Sequence, residues 1–279
     1  MNYSSISYID AASAPLRNTG EIKLHGPEAF AAMRKVGRIA ADALDLMAEK
    51  VRPGITTREI DDIAYQFGLD RGALPATLNY RGFTHSCCTS INHVVCHGIP
   101  GDRALKEGDI INIDVTYILD GWHGDSSRMF PVGEVNRKAA RLMEVTYEAL
   151  MRGIDAAGPG ATTGDIGAAI QSFVESERMS VVRDFCGHGL GQLFHDAPNI
   201  LHYGQKGQGI ELKPGMLFTI EPMVNLGRPH VKVLRDGWTA VTRDRTLSAQ
   251  FEHSIGITET GVEIFTTSQT GRHQPPYDI

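Results

Sequence analysis

The sequence predicts an α+β fold built from two copies of one half-domain. Two motifs repeat at nearly one spacing, and each copy carries two helical patterns followed by antiparallel strands. Pro53-Gly54-Ile55-Thr56-Thr57-Arg58-Glu59-Ile60 recurs 106 positions on as Pro159-Gly160-Ala161-Thr162-Thr163-Gly164-Asp165-Ile166. Lys106-Glu107-Gly108-Asp109-Ile110-Ile111-Asn112-Ile113-Asp114 recurs 107 positions on as Lys213-Pro214-Gly215-Met216-Leu217-Phe218-Thr219-Ile220-Glu221. Chance could give either match alone; both in one register point to a duplication.

Each copy opens on a helix. Phe30, Met33, Val36, Gly37, Ala40, Ala43, Leu44 and Met47 keep the spacing of one helix face up to Pro53-Gly54. Ala140, Met143, Tyr147, Leu150, Met151 and Ile154 do so before Pro159-Gly160. Proline ends each helix because it cannot donate and disfavours helix in the residue before it. Thr56 or Thr57, with Glu59, then suits the start of a second helix, and Thr162 or Thr163, with Asp165, does likewise. Residues 109–119 read as a strand, Asp120-Gly121 as a hairpin turn, and residues 122–132 as the returning strand. In the second copy residues 217–224, 238–242 and 250–257 read as strands.

The bulk numbers are those of a globular protein: 279 residues, 42% hydrophobic and 22% charged. A net charge of −6 argues against a nucleic-acid partner, which needs a basic footprint. No apolar run approaches the roughly 20 residues of a membrane helix. Cys87, Cys88, Cys96 and Cys186 show no CxxC spacing, which favours free thiols in a reducing cytosol and a cytoplasmic location. The expected organisation is an N-terminal extension (residues 1–27), one catalytic domain (28–267, with halves of about 28–135 and 136–267) and a C-terminal tail (268–279). Both ends have little to bury and are expected to be loosely ordered or laid over the domain.

Asp114 and Glu221 hold equivalent positions in the repeat, each after an isoleucine, at the middle of a strand. A carboxylate at a buried strand position is costly unless paired, protonated or on a metal. One such acid reads most simply as a partner of Lys or Arg. Two at duplicated positions shift the balance toward a shared site between the halves. Asp125 lies across the hairpin from Asp114, Glu252 lies on a later strand, and His188 sits between glycines that let backbones approach closely. His188 alone would read as an ordinary loop histidine. Four carboxylates and an imidazole suit a pair of Mn, Fe(II), Co or Zn ions and not a thiolate zinc site. Two metals about 3.5–4 Å apart can share a hydroxide and clamp the oxyanion formed on its attack.

Asn112-Ile113-Asp114-Val115-Thr116, His123-Gly124-Asp125, Gly187-His188-Gly189-Leu190-Gly191, Thr219-Ile220-Glu221-Pro222-Met223 and Gln250-Phe251-Glu252-His253 together resemble the five signature segments of the type I methionine aminopeptidases, in their order. The resemblance spans roughly residues 28–267. It implies the pita-bread fold, two pseudo-symmetric halves around a curved antiparallel sheet. It implies a methionyl aminopeptidase that removes the initiator methionine from nascent proteins, through a metal-bridging hydroxide attacking the first peptide carbonyl. Asp114 would chelate one of two divalent ions (Co, Mn, Fe(II), Zn or Ni), Asp125 and Glu252 would bridge both, and His188 and Glu221 would hold the other. Glu221 would also shuttle a proton. His97 would lie near the scissile amide and His195 would stabilise the carbonyl oxygen.

The methionine pocket implied by the resemblance is lined by Thr77, Tyr80, Phe83, Cys88, His97, Phe194, His195 and Trp238. Aromatic walls and a thiol suit a thioether, though aromatic residues are more often plain core. Thr77 stands where the family often has cysteine, and Phe83 where it often has tyrosine. The resemblance further implies a sodium or potassium site from Asn92, Val94 and Ser248, for which an ordinary strand–loop contact is an equal alternative. Its partners would be nascent chains beginning with Met, with the ribosome as a further partner, and the protein would act as a monomer with no membrane or nucleic-acid contact. The extension holds no Cys/His finger and no PxxP run, so it supplies no ribosome-docking device of its own. A prolidase or proline aminopeptidase is the main rival; the segment from Cys88 to His97 and the lack of a large N-terminal domain weigh against it. A non-enzymatic relative is disfavoured because all five ligand types are intact.

Overall fold

The computed structural model describes residues 6–277. Strands β1 (Tyr8–Asp10) and β2 (Ile22–Leu24) pair in parallel ahead of the first helix. The first copy follows: α1 (Pro27–Lys50), α2 (Thr57–Leu69), β3 (Leu74–Pro75), β4 (Cys87–Ile91), β5 (Val94–Cys96), β6 (Ile110–Leu119) and β7 (Trp122–Pro131). The second copy begins with α3 (Arg137–Asp155), α4 (Thr163–Ser176), β8 (Ser180–Val181), β9 (Gly187–Gly189) and β10 (Asp196–Ile200). It continues through β11 (Leu217–Ile220), β12 (Met223–Asn225), β13 (Val231–Val233), β14 (Ala240–Thr242), β15 (Ser248–Gln250), β16 (His253–Ile257) and β17 (Val262–Ile264).

The duplicated motif makes the same local structure twice. Thr56 Oγ1 accepts from the Glu59 amide at 3.2 Å, and the Glu59 carboxylate accepts from the Thr56 amide at 2.8 Å. Thr162 and Asp165 make the matching pair at 3.3 and 2.7 Å. Each is a capping box that satisfies two N-terminal amides of its helix. The apolar face of α1 lies across β6 and β7, while α3 packs against α4 and the second copy's strands. One apolar cluster gathers mainly residues of the first copy, such as Met33, Leu44, Ile113 and Phe130. Another gathers mainly residues of the second, such as Leu150, Ile170, Phe218 and Ile255.

The sheets meet where the acids are. Strand β6 lies between β4 and β7, with Asp114 opposite Cys88 on one side and Ser127 on the other. Ser127 in turn bridges to Glu252, whose amide donates to the Ser127 carbonyl at 3.0 Å. The row from Asp114 through Ser127 to Glu252 therefore crosses from the first copy into the second.

Two strand expectations need correction. Residues 217–224 form two strands, because Pro222 has no N–H to continue the ladder. Glu221 therefore sits at the break between β11 and β12, not at mid-strand. Residues 250–257 likewise break at Phe251-Glu252, where the chain leaves β15's sheet and joins β16's. Of the two expectations for the ends, the described residues take the second and lie against the domain. Ile22 is buried in the second copy's core, and the Tyr8 hydroxyl donates to the Glu211 carbonyl at 2.7 Å. At the other end Tyr277 packs on Phe130 and donates to the Met129 carbonyl at 2.7 Å. Ser268 and Thr270 donate to Asp45 Oδ2 at 2.9 and 2.8 Å. Residues 1–5 and 278–279 of the predicted extension and tail lie outside the described residues.

Candidate metal centre and substrate cavity

Asp114, Asp125, His188, Glu221 and Glu252 all line one cavity of about 390 Å³. Asp125 is opposite Thr116 and Asp114 opposite Ser127, so the two aspartates are diagonal neighbours on one face of the β6–β7 hairpin. His188 arrives on β9. A Cβ at Gly187 would meet the Thr219 carbonyl oxygen at 2.3 Å, and one at Gly189 would meet that of Ala197 at 2.1 Å. Only glycines on both sides of the histidine allow β9 to fit between its neighbours. His188 Nε2 then lies 3.6 Å from both Asp125 Oδ2 and Glu221 Oε1.

The carboxylates crowd one another. Burial comes first in holding Asp114 and Glu252 well above the usual range, and the neighbouring acid charges add to it. Burial also lifts Glu221 to about 7, with the charge of His188 opposing. For His188 burial disfavours charge, but the adjacent carboxylates of Asp125 and Glu221 outweigh it, and its pKa rises. Although Asp114 and Glu221 open into the cavity, protein encloses them on their other sides.

This arrangement fits a divalent cation. Asp125, His188 and Glu252 each offer one donor atom, all within 4.8 Å of one another. Asp114 and Glu221 stand around the same space, and buried acids that repel one another are what a cation would relieve. Carboxylate and imidazole donors match Mn, Fe, Co or Zn chemistry.

Every residue predicted for the methionine pocket lines the same cavity: Thr77, Tyr80, Phe83, Cys88, His97, Phe194, His195 and Trp238. Phe83 and His97 both meet Trp238 edge-on, with ring centroids 5.2 and 6.0 Å apart. The His195 ring stacks on Tyr80, with centroids 5.2 Å apart, and meets the His188 ring at a tilt, 4.1 Å away. Burial lowers the pKa of His97, and burial with the neighbouring His188 lowers that of His195 to about 3, so both rings are neutral at pH 7. The Cys88 thiol is pushed well up by burial and stays protonated. All four cysteines are free.

Asn92, Val94 and Ser248 lie apart from this cavity. The Ser248 amide donates to the Asn92 carbonyl at 2.8 Å, Asn92 is left-handed at φ 56°, and Val94 pairs with Val241. The Ser248 hydroxyl is buried without a hydrogen-bond partner among the described residues.

Sequence reasoning missed the side chains that orient the acids. Thr116 Oγ1 donates to Asp125 Oδ1 at 2.7 Å, and Thr219 Oγ1 donates to Glu221 Oε1 at 2.8 Å. Gln250 Nε2 donates to Glu221 Oε2 at 3.2 Å, and His202 Nε2 accepts from the Glu221 amide at 3.0 Å. The two threonines carry a signal that was there to be read. Thr219 lies two residues before Glu221, and Thr116 lies opposite Asp125 in the hairpin, so both share a face with their acid. Nothing local announces His202.

Residues 31–259 match metallopeptidase family M24. The methionine aminopeptidase of Rickettsia prowazekii is 55% identical over 92% of this chain and 99% of its own. That of Escherichia coli K12 is 49% identical over 88% of this chain and 94% of its own. The crystal structure of the Rickettsia prowazekii protein superposes with a TM-score of 0.88, covering 88% of this chain and 100% of that one. Prolidase from Pyrococcus furiosus, 22% identical with a TM-score of 0.68 over 88% of this chain and 66% of its own, shares the fold. Duplicated halves, one cluster of metal-type donors and close likeness along most of the sequence lead to one conclusion: the chain belongs to metallopeptidase family M24.

Proposed function

We propose that the chain hydrolyses the first peptide bond of polypeptides that begin with methionine. The observation that carries this reading is one cavity in which four acids and a histidine adjoin an apolar pocket of aromatic rings and a thiol. The close relatives named above, all methionine aminopeptidases, point to the same specificity. Asp114, Asp125, His188, Glu221 and Glu252 would hold a pair of divalent ions. Such ions supply positive charge that acidifies water and offsets the charge developing on the carbonyl oxygen.

The chain's own groups do the rest. Tyr80, Phe83 and Trp238 pack the thioether, with the neutral Cys88 thiol and Thr77 beside them. The ring of Phe194 closes the wall beside His195. Neutral His195 donates toward the carbonyl oxygen, and neutral His97 holds the scissile amide. Glu221, with Oε2 held by Gln250, takes a proton from the attacking water and returns it to the leaving amine. We assign a sodium or potassium ion to Asn92, Val94 and Ser248, on the family resemblance and the unpartnered Ser248 hydroxyl. Nascent chains in the cytoplasm, action at the ribosome and a monomeric state follow from the resemblance. Among the described residues no helix is long and apolar enough to cross a membrane.

Hydrolysis assays on the metal-loaded protein test this reading. A Met-Gly-type peptide is expected to be cleaved and an X-Pro dipeptide to be left intact; the opposite preference would favour prolidase chemistry. Elemental analysis of the same sample identifies the metal and its count. His97→Ala is expected to lower turnover at least about a hundredfold while divalent-cation affinity holds. Equal loss of both would make His97 a ligand.

Cation binding also stabilises the fold. At pH 7.5, Mn or Co at a hundredfold excess over Kd is expected to add about 2.7 kcal/mol, or roughly 5 °C in Tm. Asp114, Glu221 and Glu252 have raised pKa values when no cation is bound. Their protonation stabilises the metal-free fold fully below the ordinary carboxylate range, and that contribution is gone above the raised values. Cations must displace those protons. The Tm gain is therefore expected to shrink as pH falls below about 7. A gain that grew on acidification would count against the assigned ligands.

A further inference from the structure

The loop between β9 and β10 carries Phe194 and His195, and among the described residues no hydrogen bond holds the His195 ring. Its neighbours are the rings of His188, Phe194 and Tyr80. The next residue, Asp196, is anchored differently. Its Oδ1 accepts from the Ala197 amide at 2.9 Å and its Oδ2 from Lys23 Nζ at 2.5 Å. Lys23 lies on β2, in the N-terminal segment, and its ammonium also donates to the Arg17 carbonyl at 3.2 Å. Only 10% of the Lys23 side chain and 7% of that of Asp196 is exposed.

The same segment touches the loop elsewhere. Ala14, Pro15 and Leu16 face Leu190, Gln192 and Leu193 across a small cleft, and Asn18 reaches the wall of the main cavity. A buried ion pair adds little net stability, because desolvation offsets the attraction, but it fixes the relative position of the elements it joins.

We propose that Lys23 is a positioning residue for the reaction: through Asp196 it sets His195 against the cavity, which makes the N-terminal segment part of the active site. The proposal rests on the role assigned to His195 above. Misplacing a reacting group by about 1 Å can cost a hundredfold in rate.

The experiment measures kcat, KM, cation affinity and Tm for Lys23→Met, His195→Ala and the double variant, all in the full, metal-loaded chain. Lys23→Met is expected to lower kcat roughly ten- to a hundredfold, with KM and cation affinity changing less than about twofold. In the His195→Ala background Lys23→Met is expected to cost nothing more in kcat, because the group it positions is gone. Lys23→Met leaves Asp196 buried without its cation, so Lys23→Met with Asp196→Asn is the companion variant. It is expected to recover Tm while keeping the kcat loss. An unchanged kcat in Lys23→Met, the same fractional loss with and without His195, or recovery of kcat along with Tm would each overturn the proposal. An undiminished kcat in His195→Ala would overturn the role given to His195 itself.

Discussion

Glu252→Ala is expected to lower turnover at least about a thousandfold, more than the hundred- to thousandfold typically lost with one oxyanion donor. Glu252 is buried, and it faces Asp114 across the Ser127 row where the two copies meet. Its carboxylate and the His188 imidazole are the donors that the second copy sets within 4.8 Å of Asp125. The backbone contact at this point, the Glu252 amide to the Ser127 carbonyl, does not depend on the side chain. The variant should therefore fold, and relief of acid repulsion should leave the metal-free form no less stable than the parent. The expected signature is lost activity and lost metal content in a protein of near-parental Tm without metal. Glu252→Gln, which keeps the shape and removes the charge, should fail similarly. Peptide hydrolysis and elemental analysis on purified variants read both effects, and near-parental activity in either would sink the ligand assignment. Asp114→Ala should behave in the same way.

Asp45→Ala is expected to be the most damaging change to stability, about 3–5 kcal/mol out of a total that for most domains is only about 5–15 kcal/mol. Arg128 is 1% exposed, in the middle of β7, and its Nη1 donates to Asp45 Oδ1 on α1 at 2.5 Å. The same nitrogen donates to the Arg272 carbonyl at 2.8 Å. Without Asp45 the guanidinium keeps its buried position and loses its counter-charge. Ser268 and Thr270 lose their acceptor as well. The expected fall in Tm is about 10 °C. Removing both charges with Asp45→Leu and Arg128→Met should restore most of it, since a well-packed apolar pair can replace a buried ion pair. A Tm for Asp45→Ala within about 2 °C of the parent would show that water or a neighbouring group screens Arg128.

The halves, the capping boxes and the β6–β7 hairpin were legible because each rests on local chemistry. Thr56 and Thr162 cap with groups three residues away, and Asp120-Gly121 fixes a register that puts Asp114 and Asp125 on one face. The acid cluster was legible because acids at duplicated positions, each after an apolar run, defy the apolar pattern. What could not be read depends on partners far along the chain. Tyr8 finds Glu211, Lys23 finds Asp196, and Asp45 finds Ser268, with no periodicity linking either member to the other. The three-residue strands β1 and β2 are too short for an alternating pattern to show. Pro222 did announce the break beside Glu221, and the strand expectation passed over it.

The knot around Arg128 also bears on the order in which the protein can be completed. A polypeptide leaving the ribosome presents Asp45 first and Arg128 much later, while Ser268, Thr270 and the carbonyl of Arg272 emerge among the last residues. Until they arrive, Asp45 Oδ2 lacks its two hydroxyl donors and Arg128 Nη1 lacks its carbonyl acceptor. The interior of the first copy is therefore sealed by the C-terminal tail, and a chain stalled shortly before Ser268 would hold a wet, half-paired cation beneath its longest helix.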